Sequence, residues 1–256
     1  MIRNQSRREF LRQASIGAVT WPAFATACSD QVRARITRWF EQYDRQGTHR
    51  TATAGDKRSA VWLAAEVNKF GVKPVLESFE LDRVDPSNCF VQVAGRRIEG
   101  LPLFDATFTD ANGVRGKLGP FGSESDIGLI ELAPEAASGG SYETTRRSSR
   151  HRALLVITRG ARAGLCPING TWFSDPFGSP SLQVGSEYGD WLKQRANQGT
   201  RALVVAHVKR VKTKAYNVTA TIKGTNPQLA PLVVMTPRSG WWHSTSERGG
   251  GLACWL

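Results

Sequence analysis

His243 and Glu247 stand four residues apart near the C-terminal end of the 256-residue sequence. On a helix that spacing places two side chains on one face. An imidazole and a carboxylate are both metal ligands, but catalytic zinc sites take three protein ligands. Ser244, Thr245 and Ser246 lie between them and weaken the case for a helix. A surface or capping role is therefore the favoured reading, with a metal role as the sharper one. Elsewhere the chemistry-bearing residues are scattered. Cys28, Cys89, Cys166 and Cys254 are not paired at metal-ligand spacing. A bridge between Cys89 and Cys166 is open in an oxidising compartment. His49, His151 and His207 occur in unrelated contexts that suit solvated or core histidines. Ser181 and Ser186 lack a nucleophile-elbow pattern. Asn169 and Asn217 begin glycosylation acceptor triplets, a pattern common by chance.

The formal net charge is +12, and the hydrophobic fraction of 40% is ordinary for a globular protein. A basic protein can bind nucleic acid, but no zinc-finger spacing, RNA-binding signature or heptad accompanies the charge. No nucleic acid is expected as a partner. The densest basic run is Arg146, Arg147, Arg150 and Arg152, read as a solvated loop. No apolar run approaches the ~20 residues that span a bilayer.

Residues 1–27 read as an address rather than as fold. Arg7 and Arg8 stand in the string SRREFLR, followed by a moderately apolar stretch from Ala14 to Phe24. That string resembles the twin-arginine export signal, which implies export to the periplasm or cell envelope. Ala25-Thr26-Ala27 suits cleavage by a signal peptidase and would leave Cys28 first. A lipidated Cys28 would then be the chain's one route to a membrane.

The elements that must position any site follow. Ser29 or Asp30 can cap a helix whose stripe is Val32, Ile36, Trp39, Phe40 and Tyr43. A second helix starts at Gly55-Asp56 and closes at Gly71, with Pro74 beyond. Val75 to Leu81 alternate as a strand, and Phe90 to Val93 form another before a turn at Ala94-Gly95. Residues 100–210 carry short apolar runs at Ile127–Leu132, Ala153–Ile157 and Ala202–Ala206, and a helix over Tyr188–Asn197. Strands are expected again at Ala215–Ile222 and Pro231–Thr236. Gly249-Gly250-Gly251 then leads into a final apolar turn that reads as the start of a buried helix.

The segment GTHRTATAGDKRSAVWLAAEVNKFGVKPVLESFEL resembles the opening of the family-28 zinc metallopeptidases, aminopeptidases and glutamate carboxypeptidase-like enzymes. AYNVTATIKGTNPQLAPLVVM resembles that family's return strand, loop and next strand. Residues 100–210, with PSLQVGSEYGDWL as the clearest part, resemble the protease-associated domain inserted in some members. The resemblance implies an α/β fold: part of a zinc-exopeptidase-like mixed sheet with flanking helices, plus a β-rich insert. It divides the chain into a signal at 1–27, a peptidase-like part at 28–99, the insert at 100–210 and return strands at 211–256, apparently truncated. The family holds two zinc ions, and its first ligands form a His-x-Asp motif after the strand matching Leu232–Met235. Here those positions hold Pro237 and Ser239, and the bridging Asp position holds Glu247. No metal or other cofactor is therefore expected for this chain, and no catalytic residue is assigned. The expectation is an exported metallopeptidase-like hydrolase, catalytically incomplete as given. The alternative is a non-catalytic envelope module that binds a peptide or protein partner.

Overall fold

The computed structural model describes residues 25–137 and 140–256. Arg7, Arg8 and the rest of the expected signal up to residue 24 lie outside them. By its contacts the chain forms two compact units, one of residues up to Ser78 together with Ala215–Leu256, the other Phe79–Lys214.

In the first unit, α1 runs Ala25–Asp44 and α2 runs Ala54–Asn68. The expected cap at Ser29 or Asp30 is overturned, because α1 already begins at Ala25 and both residues lie within it. The second helix starts where its chemistry requires. Thr53 is its N-cap, and the Thr53 hydroxyl accepts the Asp56 amide at 3.3 Å. Gly71 follows its last turn at φ +73°, a conformation that favours glycine. Tyr43, Leu63 and Leu252 form this unit's buried apolar centre, with Trp62, Val218 and Trp255 against it.

The second unit is built on an eight-stranded sheet of order β2-β1-β8-β4-β5-β6-β7-β3. The strands are β1 Pro74–Val93, β2 Arg96–Glu99, β3 Leu101–Pro102, β4 Val114–Pro120, β5 Ile127–Leu132, β6 Ala153–Thr158, β7 Ser181–Val184 and β8 Arg201–Ala220. Between β5 and β6 come α3, Pro134–Ala137, and α4, Gly140–Arg147. A 3₁₀ turn and α5, Gly189–Asn197, precede β8. Strands β4 to β7 are parallel, while β3 runs antiparallel to β7 and β8 antiparallel to β4. The sheet is therefore mixed and the class α/β, with flanking helices.

Strand β6 is buried along its whole length, from Ala153 to Thr158. That is why its sequence is a continuous apolar run rather than an alternating one. The hairpin between β1 and β2 turns through Ala94 (φ +47°) and Gly95 (φ +76°), the paired positive φ angles of a type I′ turn. Where the sequence suggests separate strands, the chain makes longer ones. Val75–Leu81 and Phe90–Val93 belong to one strand, as do Ala202–Ala206 and residues 215–220. Pro86 lies within β1, outside the Phe90–Val93 stretch that pairs with β2.

Packing is tight where β5 meets His151. A Cβ on Gly128 would lie 2.4 Å from His151 Cδ2. The buried imidazole is fully satisfied, with Nδ1 2.7 Å from the Ser125 carbonyl and Nε2 accepting the Gly122 amide at 2.9 Å. That pattern assigns the neutral Nδ1–H tautomer.

The Arg-rich stretch is not a solvated loop. Arg146 lies on α4 and is buried, paired with Asp105 at 2.8 Å. Its Nη2 also donates to the carbonyls of Asp105 and Phe177. A buried guanidinium needs that many acceptors to offset desolvation. Arg147 and Arg152 do face water, through exposed ion pairs to Glu143 and Asp126.

Candidate functional site

The residues singled out at the C-terminal end fall in the first unit, around the turn at 237–244. This turn is clamped to the segment between α1 and α2. His49 N–H donates to the Trp242 carbonyl at 3.1 Å, and Gly240 N–H donates to the His49 carbonyl at 3.1 Å. The Ser239 and Thr51 hydroxyls are 3.0 Å apart. The Tyr43 hydroxyl donates to the Arg238 carbonyl at 2.5 Å.

Arg238 is the hub. Its Nη1 lies 2.7 Å from Asp56 Oδ1, and the side chains are 9% and 1% exposed. The same nitrogen also donates to the Asp56 carbonyl at 2.6 Å. Nη2 donates to the Tyr216 carbonyl at 3.0 Å. Asp56 Oδ2 accepts the Ala52 amide at 2.8 Å, which fixes Ala52 at a positive φ of 61°.

His49 is fully buried and stacks on Tyr43, with centroids 3.8 Å apart and planes 8° from parallel. Neither ring nitrogen has a hydrogen-bond partner. Burial, with Arg238 and His243 adding positive charge, holds its pKa below the ordinary imidazole value. Burial pushes the Tyr43 phenol up to about 12. Both rings are therefore neutral packing elements near pH 7.

The helix α6 spans Thr245–Trp255 and carries Glu247 in its first turn. His243 precedes the helix, with Ser244 at the N-cap position. The two are thus not on one helix face, and the i, i+4 reading is corrected. Glu247 instead pairs with Arg248 at 2.9 Å. His243 lines a shallow hollow with Phe40, Asp44, Thr245, Ser246 and Gly250. The glycines expected to precede the last helix lie inside it. Gly249 is required there by close approach, since a Cβ would meet the Phe40 ring at 2.8 Å.

The residues present do not fit a metal ion at this turn. Pro237 has no donor to offer, Ser239 offers a neutral hydroxyl, and Arg238 between them adds a cation. Among the described residues, no group of three or more His, Cys, Asp or Glu could hold a metal. Sequence reasoning missed Arg238 and Asp56. The one available signal was Asp56 in the first turn of a helix, which reads as ordinary macrodipole complementarity.

Other sequence candidates are dispersed. Ser181 is buried in β7, its hydroxyl donating to the Ser179 carbonyl. Ser186 accepts the Gly164 amide. His207 Nδ1 is 2.9 Å from the Ser87 hydroxyl. Cys89 and Cys166 are both free thiols, so the bridge left open between them is not formed.

The expected strand at Pro231–Thr236 is absent: those residues adopt no regular structure. Leu232, Val233, Val234 and Met235 are 90%, 72%, 62% and 86% exposed. A run apolar on consecutive positions forms a strand when both of its faces are covered, and among the described residues nothing covers these.

No protein-family model and no curated protein sequence matches the chain. Solved structures do match by fold. A zinc aminopeptidase from Bacillus subtilis superposes with TM-score 0.61 at 17% identity, over 85% of this chain and 54% of that one. An aminopeptidase from Aneurinibacillus sp. strain AM-1 gives 0.54 at 16% identity, over 85% and 56%. A family-28 peptidase precursor from Shewanella amazonensis gives 0.54 at 13% identity, over 78% and 54%. The fold is that of these aminopeptidase structures, and the chain spans about half their length.

Proposed function

We propose that this chain is the amino-terminal part of an exported zinc-exopeptidase-like protein, a hydrolase by descent whose metal site has been replaced. The likeness to aminopeptidase structures supports the descent. The observation that carries the replacement is the buried Arg238–Asp56 pair, 2.7 Å apart, seated between Pro237 and Ser239. A guanidinium there repels a divalent ion, and the buried Asp56 carboxylate is already committed to it. Under this reading the 256 residues hydrolyse no peptide bond by themselves, because neither a metal-bound water nor a general base is assembled.

Export rests on Arg7 and Arg8 within SRREFLR, with the periplasm or cell envelope as destination. Lipidation of Cys28 would add a membrane anchor. No helix among the described residues is long and apolar enough to cross a membrane.

The deciding experiment is hydrolysis of a panel of aminoacyl-4-nitroanilides and dipeptides, with and without added zinc. The expected result is no release above buffer in either condition. Zinc-dependent turnover that dialysis against a chelator abolishes would overturn the proposal. The alternative, an envelope module that binds an extended peptide, is tested by titrating the same chain with a labelled peptide library. Saturable binding without hydrolysis would favour it.

A further inference from the structure

The 237–244 turn is fastened at His49 by two backbone hydrogen bonds. The His49 amide donates to the Trp242 carbonyl, and the His49 carbonyl accepts the Gly240 amide, both at 3.1 Å. The turn belongs to residues 221–244, which adopt no regular structure. Between its two backbone bonds the His49 ring is fully buried against Tyr43, and neither nitrogen meets a protein donor or acceptor. A neutral ring can be packed this way. An imidazolium carries a full charge and two N–H donors, and burying it without a partner is costly.

The groups around the ring offer it no counter-charge. Asp56, on α2, is the carboxylate that acts on it, and Arg238 already holds that carboxylate at 2.7 Å. Arg238 and His243, both on the turn, add positive charge. Arg50, next in the chain, lies 5.7 Å from the centroid of the Trp241 ring. Glu247 and Arg248, on α6, pair with each other at 2.9 Å. Asp44, at the end of α1, accepts the Thr245 hydroxyl at 2.7 Å, and the Tyr43 phenol is neutral.

We propose that His49 is an acid-operated latch: protonation of its ring releases the 237–244 turn from the segment between α1 and α2, while both helices stay folded. One buried carboxylate does not balance two buried cations. Arg238 lies on the irregular segment and reaches water when the turn leaves, whereas His49 is tethered between two helices. The Trp242 carbonyl keeps a partner when the His49 amide withdraws, because the Ser244 hydroxyl also donates to it at 2.9 Å. The turn is therefore a unit that can open locally, in a part of the chain with no regular ladder to break. The latch stands on these contacts alone and does not need the peptidase-like descent.

The test is hydrogen exchange on the 256-residue chain at pH 7.5 and pH 5, with intrinsic exchange rates divided out. An open segment gives the imidazole its ordinary pKa of about 6.5, so each pH unit below that favours opening by about tenfold. The His49 and Gly240 amides should lose at least about tenfold in protection at pH 5. Leu63 and Ala64, within α2, should keep theirs. His49→Phe retains a ring on Tyr43 and should hold both amides protected at either pH. Imidazole NMR of the unsubstituted chain gives a second reading: the His49 ring should titrate with the same midpoint as the loss of protection. His243→Gln should leave the response in place, and its loss there would assign the latch to His243 and overturn the proposal. Unchanged protection at pH 5, α2 amides opening together with the turn, a pH response surviving in His49→Phe, or a ring midpoint apart from the opening would each overturn it as well. None of these readouts involves hydrolysis, so the latch and the proposed function can fail separately.

Discussion

Arg238 Nη1 and Asp56 Oδ1 meet at 2.7 Å in a site where both side chains are buried, joining the 237–244 turn to the first turn of α2. Removing the carboxylate leaves a buried cation uncompensated, which costs about 3–5 kcal/mol in comparable pairs. Asp56→Ala is therefore expected to lower stability by that order, measured by urea unfolding. Removing both charges, with Arg238→Met added, should recover part of the loss. A double variant no better than Asp56→Ala would show that the pair's hydrogen bonds, rather than its charge balance, hold the turn.

His49 makes the fold sensitive to mild acid. Its folded pKa is lowered by burial first and by Arg238 and His243 next. The unfolded chain therefore binds the proton more readily, with an ordinary pKa of about 6.5. The stability it contributes is fully present above about pH 6.5 and is lost as pH falls through that value toward the folded pKa. The slope from one proton is at most about 1.4 kcal/mol per pH unit. Unfolding free energy measured from pH 7.5 to 5 should fall, and His49→Phe should flatten that fall while keeping the stack on Tyr43. An unchanged slope in the variant would assign the acid sensitivity to other groups.

Zinc should not stabilise the chain. A ligand that binds only the folded state raises the unfolding midpoint with concentration. Because Pro237, Arg238 and Ser239 offer no ligand set, thermal midpoints with zinc and with chelator should agree. A concentration-dependent rise would reveal a site outside the described ligand geometry.

Thiol reactivity should rank by burial. Cys89 is buried, and burial pushes its thiol up to about 11, which suppresses the reactive thiolate. Cys254 is exposed. Alkylation followed by peptide mass analysis should modify Cys254 in the native protein and Cys89 only after unfolding. Native-state labelling of Cys89 at the rate of Cys254 would contradict the packing of β1.

If Arg7 and Arg8 form the export signal proposed above, export should fail without them. Replacing Arg7 and Arg8 with Lys should retain the protein in the cytoplasm of its native host, read by fractionation. Continued export of that variant would remove the twin-arginine reading.

Much of the fold was legible because local signals and global packing agree. Gly71 after α2, Ala94-Gly95 between β1 and β2, and the apolar run of β6 each carry their own physical reason. The site was less legible because its members are far apart in sequence. Nothing near Asp56 says that its partner is Arg238, 182 residues away, and an Arg beside Pro reads as surface. The same holds for Arg146, whose burial is decided by Asp105 and Phe177 rather than by its charged neighbours. Pro231–Thr236 reads as a strand because its pattern is that of a covered strand. A pattern states what a segment requires of its surroundings, and that requirement is unmet among the described residues.

The contact between Gly128 and His151 has a consequence for how this sequence can drift. With 2.4 Å between a hypothetical Cβ and the ring, any side chain at 128 must be bought with a smaller residue at 151. That smaller residue would leave the Gly122 amide and the Ser125 carbonyl in search of partners. Neither position is free to change first, so the two should be inherited together. In diverged copies of this fold unit, a lost histidine at 151 should arrive with a rebuilt 122–125 loop rather than as a lone substitution.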